Sequence, residues 1–190
     1  MTERTAVPVG TLFTVGHSTR PIDEFLALLA AHGIERLVDV RRFPGSRRHP
    51  QFGQDALAAA LGSAGIGYTH EVELGGRRET AAADSPNRAW RNASFRAYAD
   101  HTASPEFQAA LDRVLTAAAE RPTTVMCAEA VPWRCHRQLI ADAAVARGWR
   151  VLHILSPQRA DPHALNPEAR VRPDRTVVYP GRAGGQTELL

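Results

Sequence analysis

Two cysteines, Cys127 and Cys135, lie in one short segment, TTVMCAEAVPWRCHR (residues 123–137), together with Glu129, Arg134, His136 and Arg137. These residue types suit three kinds of chemistry. A cysteine at a helix start, beside histidine and arginine, has its thiol pKa pulled down and gains nucleophilic character. A carboxylate such as Glu129 near an imidazole can serve as a general acid or base. Arginine's planar fork grips phosphate or carboxylate through paired N–H groups. The segment reads as a buried strand (Thr123–Met126), a loop and a helix from near Trp133. At about 100° per residue, Cys135 and His136 also flank Leu139, Ile140 and Ala143, so both could equally be core packing. Cys127, Cys135 and His136, joined by His17, could hold a soft metal. The C-x7-C-H spacing matches no zinc ribbon or finger, and no cofactor is predicted.

Other candidates lie outside this segment. In LVDVRR, Leu37, Asp39 and Arg41 share one side of a strand, and Val38, Val40 and Arg42 the other. Asp39 is therefore either an acid/base group or a buried clip on Arg41. His17 and Ser18 follow the strand-like TLFTVG (Thr11–Gly16). Trp90, Arg91, Asn92, Phe95, Arg96 and Tyr98 interleave aromatics with arginine, as base-stacking surfaces do, although packing explains the aromatics as well. Glu71 and Glu73 would stand roughly 7 Å apart on one side of an extended segment. Paired carboxylates at such distances cleave glycosidic bonds, but two glutamates in an exposed strand are also an ordinary solvated edge.

The elements that must position these groups alternate. A strand over Thr11–Gly16 is followed by a helix with Pro21 in its first turn and Phe25, Leu28, Leu29 and His32 on one face. A second strand, Ile34–Val40, runs into the irregular RRFPGSRRHP. A short helix over Asp55–Leu61 leads to a weak strand at Tyr68–Val72. Residues 74–92, which include Gly75 and Gly76, read as a long irregular excursion, the kind of loop that is functional or mobile. A short helix is predicted over Ser94–Asp100. Ser104-Pro105 then starts a helix with Phe107, Leu111, Val114, Leu115 and Ala118 buried. After the cysteine segment, Trp149–Leu155 is a strand, and five prolines beyond Ser156 make an extended arm in which Thr176–Tyr179 could pair as an edge strand.

This order implies an α/β fold: a mostly parallel sheet flanked by helices in a Rossmann-like three-layer arrangement. Residues 1–155 would form a single α/β domain and residues 156–190 a proline-rich arm packing on it. Ligands of such sheets bind beyond the carboxyl ends of the strands. Three of those ends carry chemical groups: Gly16-His17-Ser18, Asp39 with Arg41-Arg42, and Cys127 with Glu129.

The chain has 190 residues and 23 basic residues, all of them arginine, for a net charge of +3. Its apolar content excludes a fully disordered chain. No apolar run reaches membrane-spanning length and the first residues lack a signal-peptide pattern, so a cytoplasmic protein with reduced thiols is expected. Local arginine groups (Arg41-Arg42, Arg47-Arg48, Arg77-Arg78, Arg91 with Arg96, Arg134 with Arg137) suit an anionic partner, a nucleotide or nucleic acid, although a solvated basic surface explains any single pair equally well. Oligomeric state has no signature in the sequence.

Two resemblances add to this reading. LVDVRR, and a cysteine after a buried strand with an arginine following, resemble sulfur-transferring rhodaneses. The phosphate-cradling loop of cysteine phosphatases has five residues between its Cys and Arg, whereas six separate Cys127 from Arg134, and Pro132-Trp133 interrupts the small residues. More extensively, TVGHSTR (14–20), LVDVRRFPGSRRHPQF (37–52), LGGRR (74–78), WRNASFRAYADH (90–101) and MCAEAVPWRCHR (126–137) resemble the domain-of-unknown-function family number 488. VVYP and the terminal Leu189-Leu190 resemble that family's ending. The resemblance implies that Gly16, His17, Ser18, Asp39, Val40, Arg41, Gly75, Gly76, Asn92, Tyr98, Cys127, Glu129, Cys135, His136 and Arg137 share one site.

The leading expectation is a small enzyme, hydrolytic in character, acting on a phosphate-bearing nucleotide or nucleic acid. Asp39 or Glu129 would be its acid/base group, with His17 and His136 as proton carriers. Arg41, Arg42 and Arg137 would bind phosphate, and Ser18, Gly75, Gly76, Arg91, Asn92 and Tyr98 would line the substrate site. The alternatives are a rhodanese-like sulfurtransferase or redox protein using Cys135 with Cys127, and a non-catalytic nucleic-acid-binding module.

Overall fold

Strand alternation sorts the hydrophobic residues onto two faces, and the fold follows from that sorting. The computed structural model describes residues 10–45, 48–76, 78 and 81–181; Arg47, Arg77 and Leu189-Leu190 lie outside them. Strands β1 (Thr11–Gly16), β2 (Arg36–Asp39), β3 (Gly67–His70), β4 (Thr123–Cys127), β5 (Arg150–Ser156) and β6 (Arg159–Pro162) form one sheet in the order β3-β2-β4-β1-β5-β6. Every neighbouring pair is parallel except β5–β6, an antiparallel hairpin.

Val15, Leu37, Met126 and Ile154 point to one face, where α1 (Ile22–Ala31) and α2 (Gln54–Ser63) supply Phe25, Leu28, Leu29, Leu57 and Leu61. Leu12, Val38, Val125 and Val151 point to the other. There α3 (Ala93–His101), α4 (Pro105–Glu120) and α5 (Arg137–Ala146) bring Tyr98, Phe107, Leu111, Leu139 and Ile140. The three-layer α/β architecture predicted from the alternating pattern is the one observed. Local signals hold as well. Ser104 accepts the Phe107 N–H as a cap with Pro105 behind it, and the Asn92 side chain accepts from Ser94 and Phe95 to start α3.

Three local expectations need correction. The helix expected from near Trp133 is a 3-10 turn over Pro132–Arg134, then Cys135 in extended conformation (φ −139°, ψ 153°), and only then α5. Cys135 therefore precedes its helix instead of lying inside the first turn. β3 ends at His70 and Val72–Leu74 is a 3-10 turn, so Glu71 and Glu73 share no strand face. Glu71 instead holds Arg113 at 2.7 Å. Val177–Val178 (β8) pairs with Arg170–Val171 (β7) as a separate two-stranded sheet and does not join the main one.

Beyond Ser156 the chain is knitted into the rest. β6 extends the sheet, and buried Tyr179 donates its hydroxyl to Asp142 at 2.7 Å. Asp142 also accepts from His163, which in turn contacts His153 at 2.9 Å. No helix among the described residues is long and apolar enough to cross a membrane.

Candidate active site

The chain passes from β1 to β2 in one direction and from β4 to β5 in the other, so the switch in strand order falls at the centre of the sheet. There the carboxyl ends of β2, β4 and β1 adjoin, and main-chain bonds lock the loops beyond them. His17 N–H donates to Cys127 O (3.0 Å), Ser18 N–H to Ala128 O (2.9 Å) and Val40 N–H to Met126 O (3.0 Å). Gly16 is required by this closeness: a Cβ there would lie 1.8 Å from the Glu129 carbonyl oxygen.

Alternation divides the polar groups at this rim into two clusters. On the α1/α2 face Asp39 is wholly buried. It accepts the Arg41 main-chain N–H (3.0 Å), Arg41 Nε (2.8 Å) and the Tyr68 hydroxyl (3.0 Å). Arg41 Nη1 donates to Phe52 O at 2.8 Å and lies 3.4 Å from His17 Nε2. The His17 ring stacks on Phe52 with centroids 4.1 Å apart, and its Nδ1 donates to Ser18 O at 2.8 Å. Burial, with Arg41 beside it, pulls the His17 pKa down to about 4 despite the Ser18 carbonyl and Asp39.

On the α3/α4/α5 face the two thiols are free, with sulfurs 2.8 Å apart. Cys135 Sγ is 3.4 Å from His136 Nδ1, and His136 Nε2 bonds the Val40 carbonyl at 3.0 Å. A carbonyl oxygen only accepts, so Nε2 carries the hydrogen and Nδ1 turns a lone pair to the thiol. The Arg137 main-chain N–H, the first of α5, points at the same sulfur from 3.5 Å. Gly76 leaves room for the imidazole, since a Cβ there would sit 2.9 Å from Nδ1. Tyr98 packs edge-on to His136 and donates its hydroxyl to Leu74 O. Arg137 is 1% exposed and donates to the carbonyls of Glu129 (2.7 Å) and Ala130 (3.2 Å).

These surroundings split the two thiols. Burial pushes the Cys127 thiol well above its ordinary value, and its contact with Cys135 adds to that. Burial pushes Cys135 up too, but the hydrogen bond from Cys127, the contact with His136 and the charge of Arg137 outweigh it and hold Cys135 well below the ordinary range. The arrangement is that of a nucleophile, a base and a group orienting the base. Both cysteines line a cavity of about 350 Å³ whose wall includes Arg42, Phe43, Phe95, Glu129 and Arg134.

The structure therefore brings Gly76, Tyr98, Cys127, Glu129, Cys135 and His136 to one cavity, with Arg41 and Arg42 on its wall. His17 and Asp39 lie beneath the opposite face, and half-buried Ser18, with φ 54°, links the two. Gly75 packs under Arg42, where a Cβ would meet its Cα at 2.8 Å. Asn92 caps α3, and Arg91 is exposed outside the cavity lining. Among the described residues no group of three or more His, Cys, Asp or Glu converges as a metal would require. Phe43 belongs to the site without any signal in the sequence, and the bond that the Val40 carbonyl makes to His136 had none either.

The family model described as "Domain of unknown function DUF488" matches residues 21–144, well over half of the chain. Comparison with curated proteins and with solved structures returns no match.

Proposed function

This chain belongs to the DUF488 family, and we propose that within it Cys135 and Cys127 act as a reducing dithiol toward disulfide substrates. One observation supports this reading above the rest: the nucleophilic thiol, its imidazole and a second thiol 2.8 Å away share one cavity wall.

The Cys135 thiolate attacks one sulfur of a substrate R–S–S–R′. The Cys135–S–R bond forms, the S–S bond of the substrate breaks, and R′S⁻ leaves with the electron pair. Cys127 then gives up its proton to that leaving group and attacks Cys135 Sγ. This closes the Cys127–Cys135 disulfide and expels RS⁻, so two electrons pass from protein to substrate. Closure to the usual S–S length of about 2.05 Å needs only about 0.8 Å of sulfur movement. An external thiol reductant resets the pair.

The same closeness disfavours sulfur transfer. A persulfide on Cys135 would be discharged by Cys127 through the same exchange. A phosphate-directed hydrolase would have fewer groups to draw on, because Arg137 grips two carbonyls and Asp39 is enclosed by Arg41 and Tyr68.

The reduced protein should convert one hydroxyethyl disulfide into two small thiols and lose two hydrogens in mass. Cys127→Ser should stop at the mixed disulfide on Cys135, and Cys135→Ser should not react. A stable persulfide, or turnover by Cys135→Ser, would contradict the reading.

A further inference from the structure

We infer that the cavity above the two sulfurs selects a small acidic disulfide: a low-molecular-weight thiol bearing a carboxylate, joined through S–S to itself or to a protein cysteine. This rests on the dithiol reading and names the substrate class of that same site. Two independent features support it, the depth of the sulfurs and the charge around them.

Depth comes first. Cys135 is 5% exposed and Cys127 2%, so a substrate sulfur must descend into the cavity to reach them. A space of about 350 Å³ is at the small end of ligand sites. It admits a small thiol-derived half and excludes a disulfide flanked on both sides by folded backbone.

Charge decides what that half carries. Among the described residues, the exposed Arg134 and one carboxylate, Glu129, stand on the cavity wall. Among the described residues Arg134 makes no ion pair. Behind the sulfurs, Arg137 is buried against carbonyl oxygens, with no carboxylate partner among the described residues and no hydrogen-bond partner for its Nε. The Cys135 thiolate is the anion that faces this charge. Once the thiolate has attacked and its negative charge departs on the leaving group, the charges of Arg134 and Arg137 face Glu129 alone among the described residues. A carboxylate on the retained half restores the balance, and an ammonium there would worsen it.

Three symmetrical disulfides of similar length separate the possibilities: dithiodipropionate (anionic), hydroxyethyl disulfide (neutral) and cystamine (cationic). Each is mixed with the reduced full-length protein, and closure of Cys127–Cys135 is followed by the loss of two hydrogens in intact mass. Each rate is divided by that of the same disulfide with a small free thiolate, which removes intrinsic reactivity. Dithiodipropionate should exceed cystamine by at least about tenfold, with the advantage shrinking as salt rises. Arg134→Ala, at an exposed position, should reduce that ratio to a few-fold. Equal or reversed ratios with closure intact would overturn the substrate class and leave the dithiol reading standing. Failure of all three to close the disulfide would overturn both. A further arm uses an unstructured peptide whose cysteine is capped with mercaptopropionate. Release from the peptide assigns the protein-bound adduct as a source, and release from free dithiodipropionate alone assigns the free disulfide.

Discussion

Asp39 and Cys127 end adjacent strands at the same rim of the sheet, yet their surroundings differ in kind. Asp39 points toward α1 and α2, where Arg41 and Tyr68 donate to its carboxylate and Arg41 also reaches Phe52 O and the His17 ring. Cys127 points toward α3 and α5, where Cys135 and His136 border a cavity. The strand-end rule gathers polar groups at a rim without saying which of them will be open. Pleat alternation makes that division: one set becomes a buried clip that shapes the loop, and the other lies beside a cavity. The two are joined through Val40, whose neighbours are clamped on the closed side and whose carbonyl orients His136 on the open side.

Substitutions should separate the clusters. The largest effect belongs to Cys135→Ser, which should cost disulfide reduction about a thousandfold or more. The same change should move stability by only about 1 kcal/mol, measured by urea unfolding. Asp39→Ala should do the reverse. Removing one partner of the buried pair leaves Arg41 unmatched and should cost about 3–5 kcal/mol of stability. Thiol reactivity per folded molecule should fall by less, since His136 is held by a main-chain carbonyl. If the aspartate variant unfolds no more easily than wild type, the closed cluster is not the clip described.

Gly76→Ala tests the open cluster from its far wall. The new methyl would press on His136 Nδ1, so thiol reactivity below neutral pH should drop by about a hundredfold. It should recover at alkaline pH, where a thiol ionises without help. Retained low-pH reactivity would mean that the imidazole does not activate Cys135.

The smallest effect concerns pH and the closed cluster. His17 is held near 4 against 6.5 in the unfolded chain, so across that window the unfolded state takes up a proton that the fold refuses. The contribution to stability is present above pH 6.5 and is lost as pH falls toward 4. His153, held near 3, extends the loss further. His17→Asn should flatten the curve of unfolding midpoint against pH in that range; an unchanged curve would refute the shift.

Much of this was legible in the residues, for identifiable reasons. Period-two alternation in LVDVRR placed Leu37 and Asp39 on one face and Val38 and Val40 on the other, as observed. Ser104-Pro105 marked the start of α4 through local chemistry alone. The start of α5 was misplaced because Pro132 suits a first helical turn equally well in a 3-10 turn, and the extended backbone at Cys135 has no side-chain signature. The tail beyond Ser156 looked extended because prolines dominate it, but its fixing depends on non-local pairs such as Tyr179 with Asp142. The closeness of the two thiols was not legible either, because it depends on how β4 and the 132–136 turn fold back on each other. Nor was the role of Val40, which acts through a carbonyl that every residue possesses.

The most direct test is the rate of iodoacetamide labelling of the reduced protein as a function of pH, with the modified cysteine identified by mass mapping. The account predicts a single labelled residue, Cys135, whose rate holds its plateau well below neutral pH, with Cys127 protected until strongly alkaline conditions. Slow labelling of both thiols that rises only around the ordinary thiol pKa, or Cys127 reacting first, would contradict it.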